Sequence, residues 1–159
     1  RGLGDVYKRQ QYAHGNEPSH HVIHLYNYVN RPWRTQELVD SVYRSQYANS
    51  VDGLSGNEDC GQMSAWYILN SMGFYQVCPG KPVYSIGRPA FDKAVINLPG
   101  GKTFSIIAKN NSKKNKYIES ISLNGKSLET PFFNHQDIVN GGRMEIRMTD
   151  KPNYKTHIP

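Results

Sequence analysis

Gly56-Asn57-Glu58-Asp59-Cys60-Gly61-Gln62-Met63-Ser64-Ala65-Trp66-Tyr67 sets two adjacent carboxylates on a glycine-flanked turn and runs at once into an aromatic helix. The apolar stripe Met63, Trp66, Tyr67 and Leu69 predicts that helix over about Gly61 to Met72, and Gly73 is a natural stop. Upstream lies a second polar cluster, Gly15-Asn16-Glu17-Pro18-Ser19-His20-His21, with Pro18 suited to a first helical turn and Asn16 or Glu17 near its cap. Two acidic loops, each feeding an aromatic helix, point to a carbohydrate-processing site built at helix ends.

Working outward, His21, Ile23, His24, Leu25, Tyr28 and Val29 recur at spacings of three and four, which reads as a helix that Asn30-Arg31-Pro32 breaks. A further helix is expected from Pro32 to Tyr47, and a polar loop from Ala48 to Asp59. Beyond Pro79 the period shifts to two. Val83–Ile86, Lys93–Leu98, Thr103–Ala108, Tyr117–Leu123, Lys126–Leu128 and Arg143–Met148 read as strands, with Pro99–Lys102 and Asn124-Gly125 as turns. Lys109 to Lys116 reads as a solvated hairpin tip. The fold class is α+β, helices first and an antiparallel β-region after.

The chain has 159 residues, enough for one domain with its own core. Mean hydropathy is −0.68, and no apolar run approaches the roughly 20 residues of a membrane-spanning helix. Arg1–Gln10 has no hydrophobic period and resembles a translated adapter scar, so it is set aside from the fold. It carries three basic residues and one acid, so the formal charge of +6 falls to +4 without it, which argues against a dedicated nucleic-acid binder. Eleven tyrosines against five phenylalanines suit sugar stacking or a half-wet helix surface. Cys60 and Cys78 are too few for a disulfide framework and read as two separate buried thiols, although a single bridge stays open.

Neighbouring side chains on a turn diverge, so of Glu58 and Asp59 one is the working carboxylate and the other its support, with Asp52 in the same loop able to join them. A carboxylate at a helix N-terminus is held ionised, which suits a base that activates water. The competing reading is that Asp59 simply caps its helix. In the upstream cluster, His20, His24 and Glu17 have the residue types of a zinc site, without the His-Glu-x-x-His pattern. Asn16 and Glu17 are oxygen ligands better suited to calcium. Capping and a helix surface are the competing reading of the same residues.

The two motifs together resemble glycoside hydrolase family 92, the calcium-dependent, exo-acting bacterial α-mannosidases. The likeness rests on Gly15–His21, Leu25-Tyr26-Asn27-Tyr28, Pro32-Trp33, Asp52-Gly53-Leu54, Gly56–Tyr67, Met72-Gly73-Phe74-Tyr75 and Pro79-Gly80, and extends from about Gln11 to Arg147. It implies that 11–78 form the end of an (α/α)₆ catalytic barrel and 79–159 the C-terminal β-rich segment. An N-terminal β-sandwich and most of the barrel would precede them in the same polypeptide. It implies an inverting mechanism with Asp59 as base, assisted by Glu58 or Asp52. The general acid is expected upstream, so the chain alone is expected to be inactive. Asn16 and Glu17 are implied at the Ca2+ site, and His20, His21 and Glu17 at the sugar or in its loop. The implied substrates are mannose-containing glycans such as N-glycans, and the parent would be periplasmic, cell-surface or secreted. Two alternatives remain: a non-catalytic carbohydrate-binding module on the β-half, displaying Tyr84, Phe104, Tyr117, Phe132 and Phe133, and a zinc-dependent hydrolase.

Overall fold

The computed structural model describes residues 12–154; the segment 1–10 set aside above lies outside them. The described residues begin with two tight 3-10 turns, Glu17–Ser19 and Val22–His24, and a single α-turn, α1 (Leu25–Tyr28). The continuous helix expected here is broken because His24 and Asn27 turn inward to bond the β-half, and Asn30 takes a left-handed φ of 55° ahead of Pro32. Pro32 occupies the first turn of α2 (Pro32–Gln46), where its missing N–H costs nothing. A loop follows, then the 3-10 turn Asp59–Gly61 and α3 (Gln62–Met72), which Gly73 ends at φ 104°.

The β-half comprises β1 (Phe74–Tyr75), β2 (Val83–Ile86), β3 (Lys93–Asn97), β4 (Thr103–Lys109), β5 (Tyr117–Leu123), β6 (Lys126–Ser127), β7 (Phe132–Asn134), the short helix α4 (His135–Val139) and β8 (Gly142–Thr149). One antiparallel sheet has the order β1-β2-β7, and a second has β3-β4-β8-β5-β6. The β-region is antiparallel except for β4 and β8, which run parallel. Asn124 and Gly125, both at positive φ, make the tight turn between β5 and β6. Lys109–Lys116 is not a hairpin tip, because β8 lies between β4 and β5. The loop crosses the end of β8, with Arg88 donating to Ser112 O at 3.1 Å and Arg44 to Lys113 O at 3.2 Å.

Two cores flank α3. Ile23, Val39, Val42, Trp66 and Tyr75 fill the helical one, and Phe74, Ile86, Phe104, Ile106, Met144, Ile146 and Met148 are among those filling the β-core. The alternation of β1 sends Phe74 into one and Tyr75 into the other. Between them runs a buried polar seam. His24 and Asn27 reach Ser85, Gln36 accepts the Ile118 N–H at 3.0 Å, and Asp40 pairs with Arg88 at 3.2 Å. Each of these residues makes at least one bond or ion pair, which lowers the cost of burying it, while Asn27 Oδ1 has no hydrogen-bond partner among the described residues. Cys60 and Cys78 are unbridged, as expected, but both are exposed, since each sits on a surface turn rather than on an element face.

Candidate functional site

Loops Gly15–His21 and Gly56–Gly61 meet backbone to backbone. A Cβ on Gly15 would stand 2.5 Å from Ser55 O, and one on Gly56 2.5 Å from Gly15 O. No other residue type fits at either place without moving main chain. The contact brings the two sequence clusters together. The Asp59 N–H donates to Glu17 Oε1 at 3.2 Å, which pins the second turn to the first.

The turn around Asp59 is unusual in its backbone. Glu58, Cys60 and Gly61 all lie in the left-handed region, at φ 59°, 54° and 75°. Non-glycine residues adopt this region at a cost and are found there where the surroundings enforce it. The consequence is a separation of the two neighbouring carboxylates. Glu58 turns back onto α3, accepting the Ser64 N–H at 3.1 Å and the Ser64 hydroxyl at 2.7 Å, so Glu58 fastens the helix start. The Asp59 carboxylate is exposed and bonds to nothing among the described residues. Asp52 stands exposed in the preceding loop, outside this hydrogen-bonded turn.

Behind the turn is a buried aromatic and imidazole layer that sequence reading did not find. His14 is 3% exposed and bracketed by Tyr12 and Tyr47 hydroxyls, each at 2.7 Å. Tyr47 donates onward to Met63 O at 2.9 Å, so it accepts from His14 Nε2–H, and Nδ1 accepts from Tyr12. Burial, with His20 alongside, pushes the His14 imidazolium pKa down to about 3. His20 stacks on His14 at 4.6 Å. Its Nε2–H donates to His14 O at 2.8 Å and its Nδ1 accepts from Gln62 at 3.1 Å. Burial lowers its pKa too, against the opposing pull of the His14 carbonyl and Glu17. The only sequence signal for this layer is the position of His14 directly before Gly15.

The remaining expected residues fall as follows. His21 is half-buried at the entry to the Val22–His24 turn. His24 is fully buried, its Nε2–H on Asn70 Oδ1 at 2.8 Å and its Nδ1 near Ser85 Oγ at 3.0 Å, and burial brings its pKa to about 4. Asn16 is exposed, with its side-chain amide unbonded among the described residues. Among the described residues no three His, Cys, Asp or Glu side chains stand together as a metal cluster. Beside the loop a groove of about 900 Å³ runs between Tyr12–Asn16 and the Leu38 and Val42 side of α2.

Comparison with known proteins places this arrangement. The profile described as the glycosyl hydrolase family 92 catalytic domain matches residues 4–150. A sequence relative, an uncharacterised secreted glycosidase of Arthroderma benhamiae, is 33% identical over 137 residues, 84% of this chain and 18% of that protein. The fold superposes on the family 92 α-mannosidase BT3965 of Bacteroides thetaiotaomicron with a TM-score of 0.88 and 42% identity, over 94% of this chain and 20% of that one. It superposes on the family 92 inverting mannosidase BT2199 of the same organism at 0.86 and 41%, over 94% and 20%. The chain therefore spans about a fifth of the length of these relatives. The chain belongs to glycosyl hydrolase family 92.

Proposed function

We propose that this chain is the base-bearing, C-terminal part of an inverting exo-α-mannosidase that releases terminal mannose from α-mannosides such as N-glycans, with Asp59 as the base. The observation that carries the reading is the division of labour in the Glu58-Asp59 pair. Glu58 holds the helix, while the Asp59 main chain is tied to Glu17 and its exposed carboxylate is unbonded among the described residues. A base must be ionised and unoccupied to take a proton from water, and in an inverting reaction it faces an acid roughly 6.5–9.5 Å away. That acid is expected on the upstream part of the polypeptide, together with the rest of the barrel that α2 and α3 would close. The chain alone is then inactive. A relative described as secreted supports an extracellular place for the parent.

Calcium fits this rim in donor type. The Asn16 amide oxygen and Glu17 Oε2, neither bonded among the described residues, are the hard oxygen donors that the ion prefers, and these two residues would hold it. When bound, it would contact mannose hydroxyls and favour a distorted ring. Glu17 would thus serve two ends, Oε1 orienting Asp59 and Oε2 facing the ion. His20 has both ring nitrogens bonded inside the protein and holds the loop, and His21 stands half-buried at its end.

The zinc reading is disfavoured because His20 and His24 each have both ring nitrogens engaged. The binding-module reading is disfavoured because Phe104, Phe133 and Tyr117 are buried, and Tyr84 and Phe132 half-buried, so they form no open stacking platform. The deciding experiment is Asp59→Ala in the full-length enzyme. Turnover of an aryl α-mannoside should vanish while mannoside binding persists; unchanged turnover would refute the assignment.

A further inference from the structure

We propose that His14 is a positioning residue for the Asp59 turn: held between Tyr12 and Tyr47 and stacked on His20, it fixes the loop from which Glu17 reaches the Asp59 main chain. The inference rests on the proposed role of Asp59, but its geometry is independent of that role. Glu17 lies midway between His14 and His20, and those two rings are the loop's anchors. His14 carries its load in three directions. Nδ1 accepts from Tyr12, Nε2–H donates to Tyr47, and its main-chain carbonyl takes the His20 Nε2–H. Tyr47 ties this chain to Met63, the second residue of α3, and His20 reaches Gln62, the first. The loop is thus referenced to the same helix start that Glu58 caps through Ser64.

The loop's own bonds close it into a rigid unit. Ser19 Oγ lies 2.7 Å from Ala13 O and 2.8 Å from Asn16 O, and the His20 N–H donates to Glu17 O at 3.0 Å. What joins the unit to the Asp59 turn is the Gly15–Gly56 backbone contact and the single Glu17–Asp59 hydrogen bond. A tilt of the loop about the glycine contact would break that bond first. His14, at one buried end of the loop, opposes the tilt together with His20 at the other, whose carbonyl also accepts the Trp66 indole N–H at 3.1 Å. His14 makes no hydrogen bond to Asp59 among the described residues, so its effect is exerted through Glu17.

Two variants separate this from a general loss of packing. His14→Phe keeps a flat ring against His20 and Trp66 and removes both ring hydrogen bonds. His14→Gln keeps a donor where Nε2–H stood. In this chain, amide hydrogen exchange reads the geometry without any catalysis. Asp59 N–H protection should be lost in His14→Phe and largely retained in His14→Gln, while the Ile106 and Ile146 amides of the five-stranded sheet stay protected in both. Should His14→Phe not fold, Tyr12→Phe and Tyr47→Phe each remove one of the two bonds and should each reduce Asp59 protection in part. In the full-length enzyme His14→Phe should lower kcat about 10- to 100-fold with little change in KM, the signature of a misplaced group, and His14→Gln should recover most of it. Asp59 protection unaltered by His14→Phe, or by both tyrosine variants, overturns the inference. A wild-type enzyme without α-mannosidase activity would instead refute the proposed function and leave the exchange test standing.

Discussion

Acidification to pH 5 should destabilise this domain, because its buried histidines are neutral. His24 is 0% exposed and His14 3%, and both rings are held in the Nε2–H form by acceptors, Asn70 Oδ1 for one and Tyr47 for the other. Their folded pKa values lie at about 4 and about 3. In the unfolded chain each returns to about 6.5, so between these limits the unfolded state binds more protons. Stability is therefore full above pH 6.5 and falls as pH drops, the loss continuing until the folded pKa is reached. From pH 6.5 to pH 5 each histidine accounts for 1.5 units at about 1.36 kcal/mol, or about 2 kcal/mol, and the pair for about 4 kcal/mol. That is a large part of a typical domain's total of about 5–15 kcal/mol. Glu37, Glu145 and Asp150 are held below their ordinary values and stay ionised through this window. The assay is urea unfolding followed by tryptophan fluorescence at pH 7.5, 6 and 5. With a slope near 2 kcal/mol per molar, the midpoint should drop by about 2 M. His14→Gln should remove about half of the pH dependence. A midpoint unchanged between pH 7.5 and 5 would show that these rings are charged or exposed, and the buried layer as described would be wrong.

Gly56→Ala places a methyl 2.5 Å from Gly15 O and 2.7 Å from its Cα, so the loops must part; a loss of about 1–3 kcal/mol in thermal unfolding is expected, together with weaker Asp59 amide protection. Glu58→Ala removes a helix cap and should cost about 1 kcal/mol, while leaving more turnover in the full-length enzyme than Asp59→Ala does. Trp66→Ala empties a site of 0% exposure and should cost about 3–5 kcal/mol by chemical denaturation. Expressed alone, the chain should self-associate in light scattering, because Tyr28, Val29 and Ile68 are more than half exposed, and it should hydrolyse no α-mannoside.

The long strands are legible in sequence because each has one buried face, so the alternation of β4, with Phe104, Ile106 and Ala108 inward, carries its own register. β1 and β7 span only two and three residues, too short for a period, and α4 is too short for a stripe. The parallel pairing of β4 with β8 depends on where a distant strand inserts, which no local pattern encodes. At the site, glycines beside carboxylates mark the turn, and the divergence of adjacent side chains separates their roles. The sequence does not say which of Glu58 and Asp59 does the capping, because that is decided by backbone handedness at Glu58 and Cys60. The His14 layer escapes sequence reading for a similar reason. Its partners Tyr47 and Gln62 lie far along the chain, and a histidine that serves as core looks the same in sequence as one that binds a ligand.

The left-handed run also explains why the motif is so short. In a helical or extended stretch, consecutive carboxylates would be directed to different places but neither would be secured. Here Glu58 at φ 59° folds its side chain back onto Ser64, six residues ahead, and Cys60 and Gly61 at positive φ then restart the chain into α3. Asp59, at the crest, is the one residue of the turn whose main-chain N–H is reached from the other loop. Helix capping and, on the proposed function, the base role thereby fall to neighbouring side chains, and backbone strain at two non-glycine positions is the cost of keeping them apart. Relieving that strain, as Cys60→Gly would, should stabilise the fold slightly and loosen the aim of Asp59. The turn thus trades a little stability for a carboxylate held away from the helix that it begins.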